Sequence, residues 1–207
     1  QAAIVNSSSV KCFRAVLSFA IVRPARSMVS AERAILTCSP PVPACYIGWP
    51  MIVLASQSPR RKEILAQAGI PFVIRISGIE EVRGLDEAPE EYVARLAREK
   101  ASAVQASEDE FVLAADTTVV VDAHVLEKPH SIEDAAAMLR LLSGRSHAVL
   151  TGVCLRHQGR LQCGVEATIV RVAELSEEEI TRYAASGEPM DKAGGYAIQG
   201  LASKYIQ

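Results

Sequence analysis

Residues 52–69 read IVLASQSPRRKEILAQAG, and this stretch decides the fold. Ile52-Val53-Leu54-Ala55 is a short apolar run, fit for a buried strand. Ser58 then has the chemistry of an N-cap, and Pro59 suits the first helical position, where a missing N–H costs little. Ile64, Leu65 and Ala68 recur at helical spacing, and Gly69 supplies the stop. A buried strand thus runs straight into a helix whose first turn carries Arg60, Arg61 and Lys62. A helix N-terminus already presents free N–H groups and a partial positive charge. Cations placed there are unfavourable unless an anion faces them. Two readings follow: a polyphosphate or polycarboxylate site, or a basic first turn facing water, where arginine is usually found.

Downstream, Phe72–Ile76 is a second strand by its β-branched content, and residues 78–84 form an acidic loop with Glu80 and Glu81. Residues 89–106 read as a helix with Tyr92, Val93, Leu96, Ala97 and Ala101 on one face. Lys100 lies near its end, where spacing alone predicts solvent. Phe111–Val121, FVLAADTTVVV, is apolar on both flanks, as in a central strand, and Asp116 interrupts it. A buried carboxylate without partners is costly, so Asp116 must be paired or face a cleft. Thr117, one residue on, points to the opposite face. Lys128 precedes Pro129 and is therefore held in an extended segment.

Ser131 with Asp134, and Ser176 with Glu179, open two further helices. Between them, residues 147–156 and 160–172 read as a hairpin around Gln158-Gly159. That register sets Cys154 opposite Cys163. His147 and His157 have no metal-ligand partners at useful spacing and read as surface or strand residues. Residues 187–200, GEPMDKAGGYAIQG, form a glycine-rich loop before a short strand, a composition that permits close backbone approach to a ligand. The last residues, Tyr205-Ile206-Gln207, read as the middle of a strand.

Composition sets outer bounds. A chain of 207 residues can bury a real core as one domain, and its net charge of −2 gives no reason to expect nonspecific nucleic-acid binding. No apolar run is long enough to span a bilayer. Five cysteines without a C-x-x-C pair or zinc spacing fit an intracellular, reduced protein, so Cys154 and Cys163 are expected as free thiols. Residues 1–50 differ from the rest. Lys11, Arg14, Arg23, Arg26 and Arg33 stand against one acid, Glu32, and serines are frequent. This is expected to be a poorly ordered extension: an organellar transit peptide, or read-through ahead of a start at Met51.

SQSPRR after a strand, LAREKA, AADTTVVV, LEKP, LSGRSH and EPMDKAGGYAIQG occur in that order. Together they resemble the Maf family of nucleotide pyrophosphatases, over residues 51–207. The resemblance implies an α/β fold: a long mixed sheet flanked by helices, with two lobes around a central cleft, similar to the inosine-triphosphate pyrophosphatase architecture. It implies hydrolysis of nucleoside triphosphates to monophosphate and pyrophosphate with a divalent cation, Mg²⁺ or Mn²⁺, by a cytoplasmic homodimer; from the charge balance and run lengths above, neither nucleic acid nor membrane is expected as a partner. The family has also been linked to arrest of cell division, so a nucleotide-binding regulator without essential turnover is the alternative. The family's C-terminal strand and helix do not follow here, and the domain reads as truncated at that end.

Position by position, Asp116 matches the family's proton acceptor. Arg60, Thr117 and Gln199 match positions tied to base preference, in the subgroup acting on dTTP and UTP. Ser56, Arg61, Glu81, Lys100, Lys128 and Lys192 match further cleft residues. Charge argues in the same direction, because a triphosphate needs cations and N–H donors. Glu81, and beside it Glu80, are candidate metal ligands, since hard cations prefer carboxylate oxygen. Whether Asp116 binds metal, takes the proton, or does both stays open in the sequence. Gln199, with an acceptor and two donors, can read the carbonyl and N–H edge of a pyrimidine.

Overall fold

The apolar run after Met51 forms strand β1 (Ile52–Leu54), all of it buried. It leads into helix α1 (Pro59–Gln67), which Gly69 ends at φ 68°. Ser58 does not cap α1 through its side chain. Instead its own N–H donates to Ser56 Oγ at 3.2 Å. Strand β2 (Phe72–Ile74) returns parallel to β1. It stops two residues before the expected end at Ile76, because β1 offers partners only as far as Leu54. The computed structural model describes residues 50–207. The expectations for the N-terminal extension, with Cys12, Cys38 and Cys45, concern residues outside the described ones.

Helix α2 (Pro89–Ala103) buries Tyr92, Val93, Leu96, Ala97, Lys100 and Ala101. Its end comes before residue 106, with Val104 already extended. There the Arg156 guanidinium donates to the carbonyls of Ser102 and Val104 at 2.9 and 2.6 Å, satisfying groups that a longer helix would have bonded. The chain then enters β3 (Phe111–Val121), the centre of a mixed six-stranded sheet ordered β2-β1-β3-β5-β6, with β4 (His124–Leu126) also on β3. Helix α3 (Ile132–Leu142) follows, with Ser131 Oγ accepting from Asp134 N at 3.1 Å. Strands β5 (Ser146–His157) and β6 (Arg160–Arg171) form the hairpin, turned by Gln158 and Gly159 at φ 49° and 70°. A full capping box between Ser176 and Glu179 opens helix α4 (Glu177–Ala184).

One feature of this pairing makes a cleft. On the same edge of β3, β1 pairs with Phe111–Leu113 and β4 with Val119–Val121. Between them that edge of β3 runs without a strand partner, and Asp116 lies in the gap. The core divides at the same place. One set of buried side chains sandwiches β1 and the start of β3, including Leu54, Leu65 and Leu113 on one face and Val53, Ala97 and Val112 on the other. Another gathers Val119, Val121, Leu139, Leu142, Ile180 and Tyr183 around the end of β3. Two lobes joined by β3 and β5 result, as the α/β expectation required.

Opposite Asp116 on β5 stands Gly152. A Cβ there would lie 2.2 Å from the Val93 carbonyl, so the missing side chain lets α2 settle against the sheet. Cys154 and Cys163 oppose each other in the expected register, but they are joined in a disulfide and are not the free thiols expected. Direct opposition brings their Cα atoms within 4.1 Å, which places the sulfurs together. The C-terminal stretch also departs from expectation. In place of a short strand there are 3₁₀ turns at Glu188–Asp191, Ala193–Gly195 and Leu201–Tyr205. Gly194 and Gly195 adopt φ of 69° and 68°, which breaks extended backbone, and only Ile206 makes a β-bridge, to Val172.

His147 is buried at 3% exposure on β5, its Nε2 2.5 Å from Tyr196 Oη and its Nδ1 without a partner. Burial lowers its pKa from 6.5 to about 4. Its folded value thus lies below its unfolded one, so the unfolded chain takes up the proton first on acidification. The stability due to neutral His147 is complete above about pH 6.5 and is lost progressively towards pH 4, roughly 3 kcal/mol in all. His147→Gln should flatten the stability profile between pH 6.5 and 5 in denaturant titrations; an unchanged slope would contradict the assignment. Gly152→Ala should push α2 off the sheet and lower unfolding free energy by about 1–3 kcal/mol, the usual cost of overpacking. Neutral substitution there would mean that the helix is not held so close.

Candidate active site

Asp116 is 7% exposed, and its partner Lys100 is 6% exposed. Lys100 reaches across from α2 and donates to Asp116 Oδ1 at 2.5 Å. The same Nζ lies 2.6 Å from Glu81 Oε1, and Lys128 Nζ approaches Glu81 Oε2 at 3.6 Å. The basic side chain that spacing assigned to solvent is therefore buried between two carboxylates. Helix α2 dictates this: Lys100 follows Val93 by two turns on the face that Gly152 draws against the sheet.

A second group of polar side chains meets the other face of β3. Arg61 donates from Nη1 to Ser56 Oγ at 2.9 Å and from Nη2 to Thr117 Oγ1 at 3.3 Å. Thr117 Oγ1 in turn lies 3.2 Å from Thr151 Oγ1 on β5. Asp116 and Thr117 thus serve opposite faces of β3, both beside the gap in its edge. Arg61 links the groups electrostatically, since Asp116 and Glu81 both act on it. Burial raises the pKa of Asp116 above its ordinary value, with Lys100 and Arg61 opposing the rise. For Glu81, burial also acts upward, but the hydrogen bond and charge of Lys100 outweigh it and the pKa is lowered.

Seven of the residues singled out by sequence therefore fall in one cluster of two bonded groups, Ser56, Arg61 and Thr117 in one and Glu81, Lys100, Asp116 and Lys128 in the other, linked only through the charge of Arg61. Glu80 is exposed and makes no contact with it. Arg60, Lys192 and Gln199 stand apart. Arg60 acts electrostatically on Tyr183, Asp191 and Tyr196, towards the glycine-rich loop. Lys192 Nζ donates to the Glu188 carbonyl at 2.6 Å and to Asp191 Oδ1 at 2.5 Å. Gln199 is exposed on a turn closed by Gly200 N donating to Ala197 O at 3.2 Å.

Three participants escaped the sequence reading. Thr151 is visible only through strand register. Tyr92 reads as core, and it is buried, yet its hydroxyl donates to Glu127 Oε1 at 2.9 Å and lies 3.3 Å from the Glu81 carbonyl. Glu127 also accepts from Gly194 N through its carbonyl at 3.0 Å, tying the glycine-rich loop to the segment of Lys128. The LEKP motif contains Glu127 and was the available signal.

Among the described residues, no group of three or more His, Cys, Asp or Glu side chains is arranged to hold a metal. Glu81 and Asp116 nevertheless flank one ammonium, that of Lys100, and each keeps a second carboxylate oxygen that Lys100 does not bond. Two carboxylates fit a cation such as Mg²⁺, which keeps waters and takes further oxygens from substrate phosphates. No described helix is long and apolar enough to cross a membrane.

The family model described as Maf-like protein matches residues 51–207. The chain is 51% identical over 156 residues to a dTTP/UTP pyrophosphatase of Koribacter versatilis, covering 75% of this chain and 81% of that protein. It is 48% identical over 158 residues to a dTTP/UTP pyrophosphatase of Escherichia coli, covering 75% and 80%. Among solved structures it resembles a HAM1 protein from Coxiella burnetii with a TM-score of 0.40 and 14% identity, over 61% of this chain and 75% of that one. A match running from Met51 to Gln207, across both lobes and the cleft between them, makes the chain a member of the Maf-like protein family.

Proposed function

We propose that the cleft hydrolyses dTTP and UTP to the nucleoside monophosphate and pyrophosphate. The observation that carries this reading is a buried carboxylate, Asp116, beside the unpaired edge of the central strand, bonded to Lys100 and acted on by Arg61, with Lys128 against the neighbouring Glu81. The similarity to dTTP/UTP pyrophosphatases supports the choice of substrate.

The chain's own groups divide the work. Arg61 and Lys128 meet the triphosphate with positive charge, together with the N–H groups at the start of α1. Lys192, from the glycine-rich loop, adds a cation once substrate draws it from Asp191. Asp116 orients a water towards the α phosphorus and takes its proton. The water oxygen bonds to that phosphorus, the α–β bridging bond breaks, and pyrophosphate leaves with the bonding electrons. Lys100 holds Asp116 in place and ionised against the effect of burial. Glu81 and Asp116 would hold a Mg²⁺ or Mn²⁺ ion, which when bound neutralises phosphate charge and acidifies water. Arg60, Thr117 and Gln199 set base preference, with Thr117 acting by holding Arg61 at the pocket wall.

We further read the enzyme as a cytoplasmic homodimer without a nucleic-acid partner. Its net charge of −2 supports the last point. For the dimer, β6 is an edge strand whose one face exposes Leu161, Val165 and Ile169, the last at 71%, an apolar row that a second copy would cover.

The test is pyrophosphate release from dTTP, UTP, dCTP and GTP with Mg²⁺ present. dTTP and UTP should give the highest kcat/KM, and Asp116→Asn should lower kcat by about 10²–10⁴-fold while nucleotide binding survives. Near-normal turnover in Asp116→Asn would remove the assigned base. Equal kcat/KM for all four nucleotides would remove the specificity.

A further inference from the structure

The glycine-rich loop is closed by one carboxylate. Glu188 sits at its start, just after Gly187, which has φ 78°. Its Oε1 accepts from Tyr183 Oη at 2.8 Å, and its Oε2 accepts from Leu201 N at 2.9 Å. Tyr183 is buried in the core around α3 and α4, so the carboxylate fastens both ends of the loop to that core. The backbone of Glu188 takes part as well, since its carbonyl accepts from Lys192 Nζ at 2.6 Å.

Gly200 fits the same device. A Cβ at this position would lie 2.2 Å from Glu188 Oε1 and 2.5 Å from its Cδ. The carboxylate therefore lies flat against the Gly200 backbone, in space that any other residue would fill. The backbone itself does not require glycine, because φ is −101° and ψ is −157°. Here glycine makes room for a side chain and supplies no unusual conformation.

Between the two fastened ends lie Asp191, Lys192, Tyr196 and Gln199. Gln199 directly precedes Gly200, so the amide that reads the base is placed by the bond from Leu201 N to Glu188. We propose that Glu188 is a positioning residue for nucleotide discrimination, clamping the loop so that Gln199 and Lys192 are presented together to the substrate. This rests on the proposed pyrophosphatase reading and on Gln199 as the base reader. Free of the clamp, the loop ends would separate from the core while Lys100 and Asp116, on the other lobe and the central strand respectively, stayed in place.

The experiment compares wild type with Glu188→Ala, Glu188→Gln and Gly200→Ala, using Gln199→Ala to set the scale. Two quantities are read: the ratio of kcat/KM for dTTP over dCTP, and hydrogen exchange at the Leu201 amide. Glu188→Ala removes the clamp. Gly200→Ala expels it sterically while keeping the carboxylate, and the flexible side chain can swing away, so this variant carries the test if Glu188→Ala fails to fold. Both should lower the ratio about tenfold, as loss of one hydrogen bond's worth of orientation would, and both should speed exchange at Leu201. Glu188→Gln, which still accepts from Leu201 N and can donate to Tyr183 Oη, should restore most of the ratio. An unchanged ratio in a folded variant that has lost thermal stability would make Glu188 merely structural and overturn the proposal. Unchanged exchange at Leu201 would overturn the clamp itself, whatever the activity. A wild type that releases no pyrophosphate from any triphosphate would instead overturn the function reading and this role with it, leaving the exchange result to report on the clamp alone.

Discussion

A single ammonium group, that of Lys100, is buried between the carboxylates of Asp116 and Glu81, and much of the site depends on it. Burying an isolated charge costs far more than a fold of this size can spare, so each of these groups is tolerable only because the others are present. The arrangement constrains the surrounding structure. Helix α2 must approach the sheet closely enough for Lys100 to reach β3, which requires the bare backbone of Gly152 beneath Val93. The loop carrying Glu81 must fold back over the cleft, and the Tyr92 hydroxyl beside the Glu81 carbonyl holds it there.

The gap in the β3 edge supplies the other half of the design. A strand paired along both edges would leave Asp116 sealed under its neighbours. Because β1 stops at Leu54 and β4 begins pairing only at Val119, the middle of β3 has no strand partner along that edge. Strands whose edge partners change in this way are where α/β sheets bind ligands. Asp116 and Thr117 lie beside that gap on opposite faces of the strand. Arg61 bridges them, bonded to Thr117 and acted on by Asp116.

Much of the fold was legible because local signals agreed. The run at 52–55, the Pro59 start, the Gly69 stop, the Gln158-Gly159 turn and the Ser176 capping box all formed as their chemistry dictates. Asp116 could be found because it breaks an apolar strand. What stayed hidden depends on tertiary contact. Nothing near Lys100 distinguishes it from a solvated lysine, and only the motif LAREKA marked it. Thr151 and Tyr92 join the site through register and helix packing, which spacing along the chain does not encode. His147 is buried because the glycine-rich loop folds over it and offers Tyr196 Oη, a contact between residues far apart in sequence. The Cys154–Cys163 bond went the other way: its register was readable, but composition argued for free thiols.

The most direct test of the central role of Lys100 is a double-mutant cycle with Asp116, read as kcat/KM for pyrophosphate release from dTTP. Lys100→Met and Asp116→Asn each break the same unit, so either alone should cost nearly as much as both together. As members of one unit, they should leave the double variant no worse than the poorer single variant within a few fold. Losses that multiply, with the double variant falling by the product of the two single effects, would show that Lys100 and Asp116 act independently and would contradict it.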